Sequence, residues 1–267
     1  MSNYKLTQIN IFPVKSLSGI SLRESKVEER GLCYDRRWML VDLENMFLTQ
    51  RLLPKMIFID VKIENDHLVI IHKRKKIESI KISLSEFPVK KTKVQIWEDF
   101  CDSLEYDNFI NEWFSEALDF KCKLVYMPDL FERKTSTKYY PESKNVSFAD
   151  GYPFLIIGEE SLNLLNGKLV NQISMDQFRP NFVFAGGNAH DEDDWKDIKI
   201  GNLRFTIVKP CARCVITTID QRSGNKNKEP LSTLSTYRNF DNKILFGQNV
   251  IAHYEGIIKV GDQIILK

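Results

Sequence analysis

Short, closely spaced runs of β-branched and aromatic residues constrain the fold of this 267-residue chain more than any other sequence feature. Such residues favour a pleated, half-buried surface, so the runs predict strands. In the first half of the chain the predicted strands are 8–12, 37–41, 56–63, 67–71, 77–82, 94–97 and 101–105. Strands this short and this close together predict a barrel or a sandwich.

Two helices interrupt this pattern. The clearer one follows Asp107, a residue type that favours the N-cap, and carries apolar side chains on one face from Phe109 to Leu118. The second is predicted over 159–165, where leucines supply the apolar face. Further strands are predicted at 123–126, 182–185, 203–208, 215–219, 249–253 and 263–266. Because the first helix ends the β-rich first half, we place a domain boundary near residue 125.

The composition is that of an ordinary globular protein. Lys and Arg number 38 against 36 Asp and Glu, a formal net charge of +2, and 43% of the residues are hydrophobic. This balance excludes a disordered chain, and it argues against a dedicated nucleic-acid binder, which needs many cations facing phosphates. Five cysteines, an odd number, do not predict a disulfide framework, so we expect reduced thiols.

Two observations argue against membrane insertion and secretion. No apolar run approaches the ~20 residues that are needed to span a bilayer. Residues 1–5 lack the basic and then apolar plan of a signal peptide. We therefore predict a cytoplasmic protein with no membrane span.

Two charged runs are interpreted as solvated loops. The basic run 73–76 lies between two predicted strands, which favours a hairpin tip over a binding patch. The acidic run 191–194 lacks the glycine and the twelfth-position glutamate of a calcium loop.

The pair Cys211 and Cys214 is the most informative part of the sequence. A structural zinc site needs four ligands, and neither the other cysteines nor the four histidines have matching spacing. A thioredoxin-type redox pair opens a helix, whereas the β-branched run 215–219 predicts a strand here. Both interpretations are therefore weak.

Two further interpretations of the cysteines stay open on the residues alone. One is a single thiolate ligand for a transition metal, with Arg213 nearby to favour the ionised sulfur and a cofactor supplying the other ligands. The other is a pair of buried cysteines that pack as small apolar residues.

Several motifs accompany the cysteine pair in a fixed order. They are Phe12-Pro13-Val14-Lys15-Ser16, Gly31-Leu32, 35–38, 47–51, 97–99, 148–153, 175–183, 193–195, 198–201, 229–231, 233–234, 237–238 and 246–249. In this order the downstream motifs resemble the MOSC domain, a module that binds the molybdenum cofactor. The upstream motifs resemble the β-barrel domain that precedes it in the branch containing the mitochondrial amidoxime-reducing component and its bacterial relatives. The resemblance runs from Lys15 to about Asp262.

The resemblance implies a mixed α/β, β-rich fold in two domains. Residues 1–125 would form the MOSC N-terminal β-barrel domain, and residues 126–267 would form a MOSC β-barrel domain with flanking helices. The implied cofactor is the molybdenum cofactor (Mo-molybdopterin), and no requirement for pyridoxal phosphate is expected.

The resemblance also assigns site residues. It implies that Cys214 is the protein ligand to molybdenum and that Asp150 is an acidic residue beside the metal, a candidate proton donor or relay. The implied cofactor-binding residues are Lys15, Ser16, Arg36, Gly151, Tyr152, Arg179, Asn181, Ala212, Arg213 and Cys214. Tyr152 and Ala212 stand where the mitochondrial members carry Ser, so any contact from them is expected through the backbone. Cys211 is not implied as a ligand, and burial or a supporting role is expected for it.

The implied activity is reduction of N-hydroxylated compounds such as hydroxylamines, amidoximes and N-hydroxylated bases. Electrons are expected from a separate protein, a ferredoxin or a flavoprotein reductase, because no flavin or iron–sulfur motif is evident in the sequence. The first alternative is a cofactor carrier or sulfur-transfer protein without turnover. The second is a plain redox or structural Cys-x-x-Cys protein.

Overall fold

A computed structural model describes residues 3–267, and Met1 and Ser2, which belong to the start considered above for a signal peptide, lie outside the described residues. Within this range the chain forms three α-helices, α1 (Asn108–Leu118), α2 (Glu159–Asn166) and α3 (Leu231–Ser235). The strands are β1 (Tyr4–Ile11), β2 (Ile20–Leu22), β3 (Glu24–Glu28), β4 (Gly31–Leu32), β5 (Trp38–Val41), β6 (Ile59–Glu64), β7 (His67–His72), β8 (Ile80–Ser83), β9 (Lys90–Ile96), β10 (Asp99–Glu105), β11 (Lys123–Tyr126), β12 (Phe154–Gly158), β13 (Phe182–Ala185), β14 (Asp197–Ile200), β15 (Leu203–Ala212), β16 (Asn239–Phe240), β17 (Lys243–Ala252), β18 (Gly256–Lys259) and β19 (Gln263–Leu266). This is the predicted β-rich fold with few helices.

Seven strands close into a barrel. Their order is β12-β13-β1-β19-β14-β15-β17, and β17 pairs back onto β12. Phe154, Phe182 and Phe205 meet inside it, with the rings of Phe154 and Phe182 stacked at 5.3 Å between centroids. The mutual packing of these large rings buries much apolar area, which stabilises the closed barrel.

The first half of the chain adds two smaller antiparallel sheets, β5-β11-β10-β9 and β6-β7-β8. They share a core with α1, in which Trp38, Phe114 and Leu124 are fully buried. Helix α1 begins as predicted, because the Asp107 side chain accepts a hydrogen bond from the backbone N–H of Ile110 at 3.0 Å.

Three strand pairings connect the halves. Strand β1 lies between β13 and β19 in the barrel, and β3 pairs with β18. These pairings join strands of the two halves into shared sheets. The domain boundary near residue 125 stays a prediction.

The predicted strand at 215–219 is wrong. Strand β15 ends at Ala212, and a 3-10 helix follows at Val215–Thr218 with Cys214 at its N-cap. The hydroxyl groups of Thr217 and Thr218 donate to the carbonyls of Cys214 and Val215, at 2.9 and 2.8 Å. These local bonds stabilise a helical turn, which β-branched composition does not reveal. The residues after Cys214 therefore no longer count against a redox pair.

Two other interpretations need correction. The predicted strand at 56–63 begins as a 3-10 helix, Pro54–Phe58, because proline fixes the first turn. The acidic run is not simply solvated, since Glu192 is fully buried and accepts bonds from the Gly158 N–H and the Ser161 hydroxyl. Burial raises the pKa of Glu192.

Within residues 3–267 there is no helix of the length and apolarity that crossing a membrane requires.

Candidate functional site

A cleft that is partly open to solvent lies beside the barrel where several chain segments meet. All eleven site residues assigned by resemblance line it, and they are Lys15, Ser16, Arg36, Asp150, Gly151, Tyr152, Arg179, Asn181, Ala212, Arg213 and Cys214. They come from five separate segments of the sequence. Their shared location is a fact of the fold, whereas their binding of a cofactor stays a prediction.

Three of these residues have a left-handed backbone. The φ angles of Ser16, Arg36 and Arg179 are 68°, 51° and 56°. For residues other than glycine, this conformation costs on the order of 1–3 kcal/mol and persists where the surrounding structure enforces it, often at ligand sites. Here the Lys15 N–H bonds to the Trp38 carbonyl at 2.8 Å, and the Arg36 N–H to the Phe12 carbonyl at 3.0 Å.

The guanidinium groups of Arg36 and Arg179 both pack against the ring of Phe12. Their guanidinium carbons lie 4.6 and 4.1 Å from the centroid of the buried Phe12 ring. Arg36 also bonds to the buried carboxylate of Asp35 at 2.5 Å and to Asn181 Oδ1 at 3.3 Å. Two neighbouring cations are thus held at fixed positions by π-contact and hydrogen bonds.

The cleft carries a strong excess of positive charge. Five lining residues are cationic, namely Lys15, Arg36, Arg51, Arg179 and Arg213, and Asp150 is the one acidic residue among those that line it. Burial and the charge of Arg36 lower the pKa of Arg179 to about 9, so it stays protonated at neutral pH.

Three of the guanidinium groups each have a buried nitrogen without a hydrogen-bond partner among residues 3–267. These nitrogens are Nε of Arg51, Nη2 of Arg179 and Nε of Arg213. A buried donor without an acceptor costs about 1–3 kcal/mol, so an anionic or polar ligand in the cleft would relieve that cost.

Lys15 and Asp150 form an ion pair at the cleft wall. Lys15 Nζ lies 2.6 Å from Asp150 Oδ1 and 2.7 Å from the Phe148 carbonyl oxygen. Burial lowers the pKa of Lys15, and its charge pairing with Asp150 offsets part of that effect. Lys15 is buried although it is charged, and the ion pair compensates that burial.

The carboxyl group of Asp150 is ionised. Partial desolvation at the cleft wall acts to raise its pKa, but the charge and hydrogen bond of Lys15, with Arg36 and the Trp97 indole N–H at 3.2 Å, outweigh this effect and hold the pKa below its ordinary value. The side chain is 69% exposed because it faces the open cleft. In this state the resting carboxylate holds no proton, so it can relay a proton during turnover but is not a standing proton donor.

Arg133, which the sequence did not single out, fixes the loop that carries Asp150. Its guanidinium group donates to the carbonyls of Ser147, Ala149 and Asp150 at 2.7–3.0 Å. It also bonds to Asp99 at 2.8 Å. Nothing in the local sequence marks Arg133, because its partners become neighbours only in the folded chain.

The two cysteines differ in their contacts. Arg213 Nη1 lies 3.1 Å from the sulfur of Cys211, so the guanidinium contacts Cys211 and not the Cys214 sulfur that we expected it to favour. Both thiols are free and half-buried. Within residues 3–267 there is no group of three His, Cys, Asp or Glu side chains that could hold a metal, so a metal at Cys214 would need ligands from elsewhere.

The other predicted positions contribute surface and backbone. The Tyr152 ring is buried and its hydroxyl donates to the Ser136 carbonyl at 3.3 Å. A Cβ added to Gly151 would meet nothing within 4 Å, so the chain is open to the cleft there. Ala212 is exposed at the end of β15. The expected backbone contacts of Tyr152 and Ala212 with a cofactor stay a prediction.

Several cleft residues were not assigned by sequence, among them Gln50, Arg51, Gln177 and Asn249. Gln50 is buried and donates to the Ser16 carbonyl at 2.8 Å, which helps to hold the left-handed turn. The motif 47–51 was the available signal for Gln50 and Arg51.

The fold and the cleft define a β-barrel protein with a positively charged site, lined by a free thiol, that is suited to an anionic ligand. Residues 3–121 match the model of the MOSC N-terminal beta barrel domain, and residues 143–265 match that of the MOSC domain. The chain belongs to the family of MOSC-domain proteins that carry this N-terminal domain.

Two relatives illustrate the range of this family. Mitochondrial amidoxime-reducing component 1 of Mus musculus is 30% identical over 279 residues, covering 98% of this chain and 82% of the relative. Molybdenum cofactor sulfurase of Arabidopsis thaliana is 30% identical over 266 residues, covering 92% of this chain. This chain spans about a third (32%) of the sulfurase.

Among solved structures, the YUAD protein from Bacillus subtilis aligns with 99% of this chain and 94% of its own, at 12% identity. Its TM-score of 0.42 is too low to support a conclusion.

Proposed function

We propose that the protein is a molybdenum-cofactor-dependent oxidoreductase that reduces N-hydroxylated compounds such as hydroxylamines, amidoximes and N-hydroxylated bases. The observation that carries the proposal is the cleft itself, in which a half-buried thiol at Cys214 stands among five cations. The relatives named amidoxime-reducing component support the choice of reaction.

The residues of the cleft fit the cofactor that the family implies. Its phosphate is an anion, and Arg179 and Arg213 each offer a buried N–H that lacks a partner among residues 3–267. Cys214 would supply the one protein thiolate, since soft thiolates suit transition metals. When bound, the cofactor would supply the two-electron redox chemistry that the side chains lack.

The reaction balances as R–NHOH + 2 e⁻ + 2 H⁺ → R–NH₂ + H₂O. In this proposal Asp150 Oδ2 takes up a proton from solvent and passes it toward the departing oxygen. Lys15 Nζ holds Oδ1 and keeps the carboxylate ionised between turnovers. The protein partner is a separate electron carrier, a ferredoxin or flavoprotein reductase, and the compartment is the cytoplasm, where free cysteines remain reduced.

Metal and pterin analysis followed by a benzamidoxime assay with a chemical reductant tests the proposal. Wild-type protein from a cofactor-competent host is expected to contain molybdenum and to turn over. Cys214→Ser is expected to abolish activity while the circular dichroism spectrum stays native. Cys211→Ser is the matched control and should retain cofactor. Full activity in Cys214→Ser would refute the proposal.

A cofactor carrier or sulfur-transfer protein is the second candidate. The contact between Arg213 and the half-buried Cys211 favours it, because a guanidinium group 3.1 Å from the sulfur would pair with the anion of a persulfide carried there. Full molybdenum loading without any turnover would support this candidate over the reductase. Protein without molybdenum from a competent host would instead support a plain redox or structural Cys-x-x-Cys protein.

A further inference from the structure

Two basic loops meet beside the cleft and form one surface, which we call the basic ridge. Its six residues are Lys73, Arg74, Lys76, Arg222, Lys226 and Lys228, and all are exposed. The first three lie in the connection between β7 and β8, and the last three lie after the 3-10 helix Val215–Thr218. Segments about 150 positions apart in the sequence thus present charge of the same sign together.

Specific contacts hold the two loops in place. The Arg74 guanidinium donates to the Arg222 carbonyl at 2.6 Å and lies 3.6 Å from the centroid of the Phe58 ring. Lys226 Nζ donates to the Arg51 carbonyl at 3.0 Å. The side chain of Asp220 accepts bonds from the N–H groups of Arg222 and Ser223, which closes the second loop on itself. The ridge is therefore preorganised.

Much of this charge is not neutralised within residues 3–267. Lys76, Arg222 and Lys228 form no ion pair there, and Lys73 lies 3.7 Å from Asp60. Uncompensated surface charge of one sign attracts and orients a partner of the opposite sign.

The ridge adjoins the cleft. The Gln221 side chain lies 3.4 Å from Oε1 of Gln50, a residue of the cleft lining, and Lys226 bonds to Arg51, another lining residue. Two exposed apolar side chains directly follow lining residues, Leu52 at 60% exposed and Val215 at 40%. Small apolar areas with a charged rim are typical of protein interfaces.

We propose that the basic ridge docks a small acidic protein that carries one electron at a time, and that this protein delivers electrons to the site at Cys214. This inference rests on the proposed reductase function, which consumes two electrons for each N–O bond. A one-electron carrier must therefore bind and leave twice in each turnover, which suits a small, electrostatically steered interface over a large apolar one.

Charge reversal at two ridge residues tests the docking site. In Arg222→Glu/Lys228→Glu both altered side chains lack an ion pair within residues 3–267, and the anchors Arg74 and Lys226 remain. The matched control is Lys91→Glu/Lys93→Glu, which alters two exposed lysines on β9 by the same total charge. The probe is a plant-type [2Fe–2S] ferredoxin, whose binding is measured by titration at low and high salt.

Wild-type protein and the β9 control are expected to bind the ferredoxin alike, and the ridge variant about tenfold more weakly, with the difference lost at high salt. Turnover with dithionite-reduced viologen should be equal in all three. The docking proposal is overturned by absent wild-type binding, by equal weakening in the β9 control, or by duplex DNA displacing the ferredoxin. Absent viologen turnover in fully loaded wild-type protein would instead overturn the reductase function, since ferredoxin binding is measured separately.

Discussion

The ammonium group of Lys15 lies 2.6 Å from the carboxylate of Asp150, although 135 positions separate the two residues in the chain. The indole N–H of Trp97 lies 3.2 Å from the same oxygen, Oδ1. The second carboxylate oxygen of Asp150 is therefore left for a ligand in the cleft. This arrangement fixes the direction of a carboxylate that is otherwise exposed to solvent.

Replacing Asp150 by Asn is expected to lower the pKa of Lys15 further. Burial already lowers that pKa, and the charge and hydrogen bond of Asp150 are what oppose burial. NMR titration of the Lys15 Nζ resonance measures the effect directly. Trp97→Phe, which removes a neutral donor and leaves the ion pair, should change it much less. A Lys15 pKa that is unchanged or raised in Asp150→Asn would show that the pair does not control this group.

Replacing Arg179 by Met is expected to reduce retention of a pterin phosphate by about 10- to 100-fold, because a charge-assisted hydrogen bond contributes about 1.5–3 kcal/mol. Pterin content per protein, measured by fluorescence after oxidation, checks this. Arg204→Met is the matched control, since Arg204 is exposed on β15 away from the cleft lining. Equal pterin content in Arg179→Met and wild type would remove Arg179 from the binding site.

Acid is expected to destabilise the protein through His190. Burial and the charge of Arg238 lower the pKa of His190 from 6.5 to about 4, and neither ring nitrogen has a hydrogen-bond partner among residues 3–267. Between these two values the unfolded chain binds the proton and the folded protein does not. The stabilising effect is therefore complete above pH 6.5 and is lost as the pH falls toward 4.

The loss at pH 5 amounts to at most about 2 kcal/mol. Urea denaturation at pH 7.5 and pH 5 measures it in wild type and in His190→Gln, which cannot titrate. The variant should lose less of its free energy of unfolding between the two pH values, whatever its stability at pH 7.5. An identical loss in both proteins would exclude His190 as the titrating group.

Replacement by alanine should destabilise the protein at one glycine and leave its stability unchanged at another. Gly247 has a φ of 76°, and a Cβ there would lie 2.5 Å from Ile157 Cγ1 and 2.9 Å from the Ile156 carbonyl oxygen. Gly247→Ala is expected to lower the free energy of unfolding by about 2 kcal/mol or more. Gly151→Ala, with nothing within 4 Å of its Cβ, should leave stability near wild type.

The same Gly151 variant also tests contact with the cofactor. If the backbone at Gly151 approaches the cofactor closely, Gly151→Ala lowers molybdenum content without lowering stability. Equal molybdenum content in variant and wild type would show that the backbone at Gly151 does not contact the cofactor. A thermal melt and metal analysis of the same preparation separate the two effects.

The sequence predicts local structure well where the determinant is itself local. The capping Asp107 sets the start of α1, and the apolar runs of β13 and β19 coincide with their predicted bounds, because turn residues flank β13 on both sides and precede β19. The error at 215–219 arises from hydroxyl bonds of Thr217 and Thr218 that composition does not encode. The burial of Glu192 depends on partners more than 30 positions away.

In the candidate site, too, some features were predictable from the sequence and others depend on the folded chain. Ordered motifs identified eleven residues that share one cleft, since a family resemblance carries information about tertiary position. The supports of that site were not predictable in this way. Arg133, for instance, holds the Asp150 loop only because folding brings it to three carbonyl groups. The contact of Arg213 with Cys211 depends on a side-chain direction that a pattern cannot specify.

Closure of the barrel has a consequence for the order of folding. Strand β1 pairs with β19 at Tyr4 and Ile264. Because β19 is synthesised last, this pairing can form only at the end of synthesis. Until β19 has left the ribosome, β1 lacks that neighbour and the barrel edge stays open to other chains. A fragment that starts at residue 126 would lack β1 altogether and expose the edges of β13 and β19. We therefore expect the two halves to require expression as one chain, because neither completes the barrel alone.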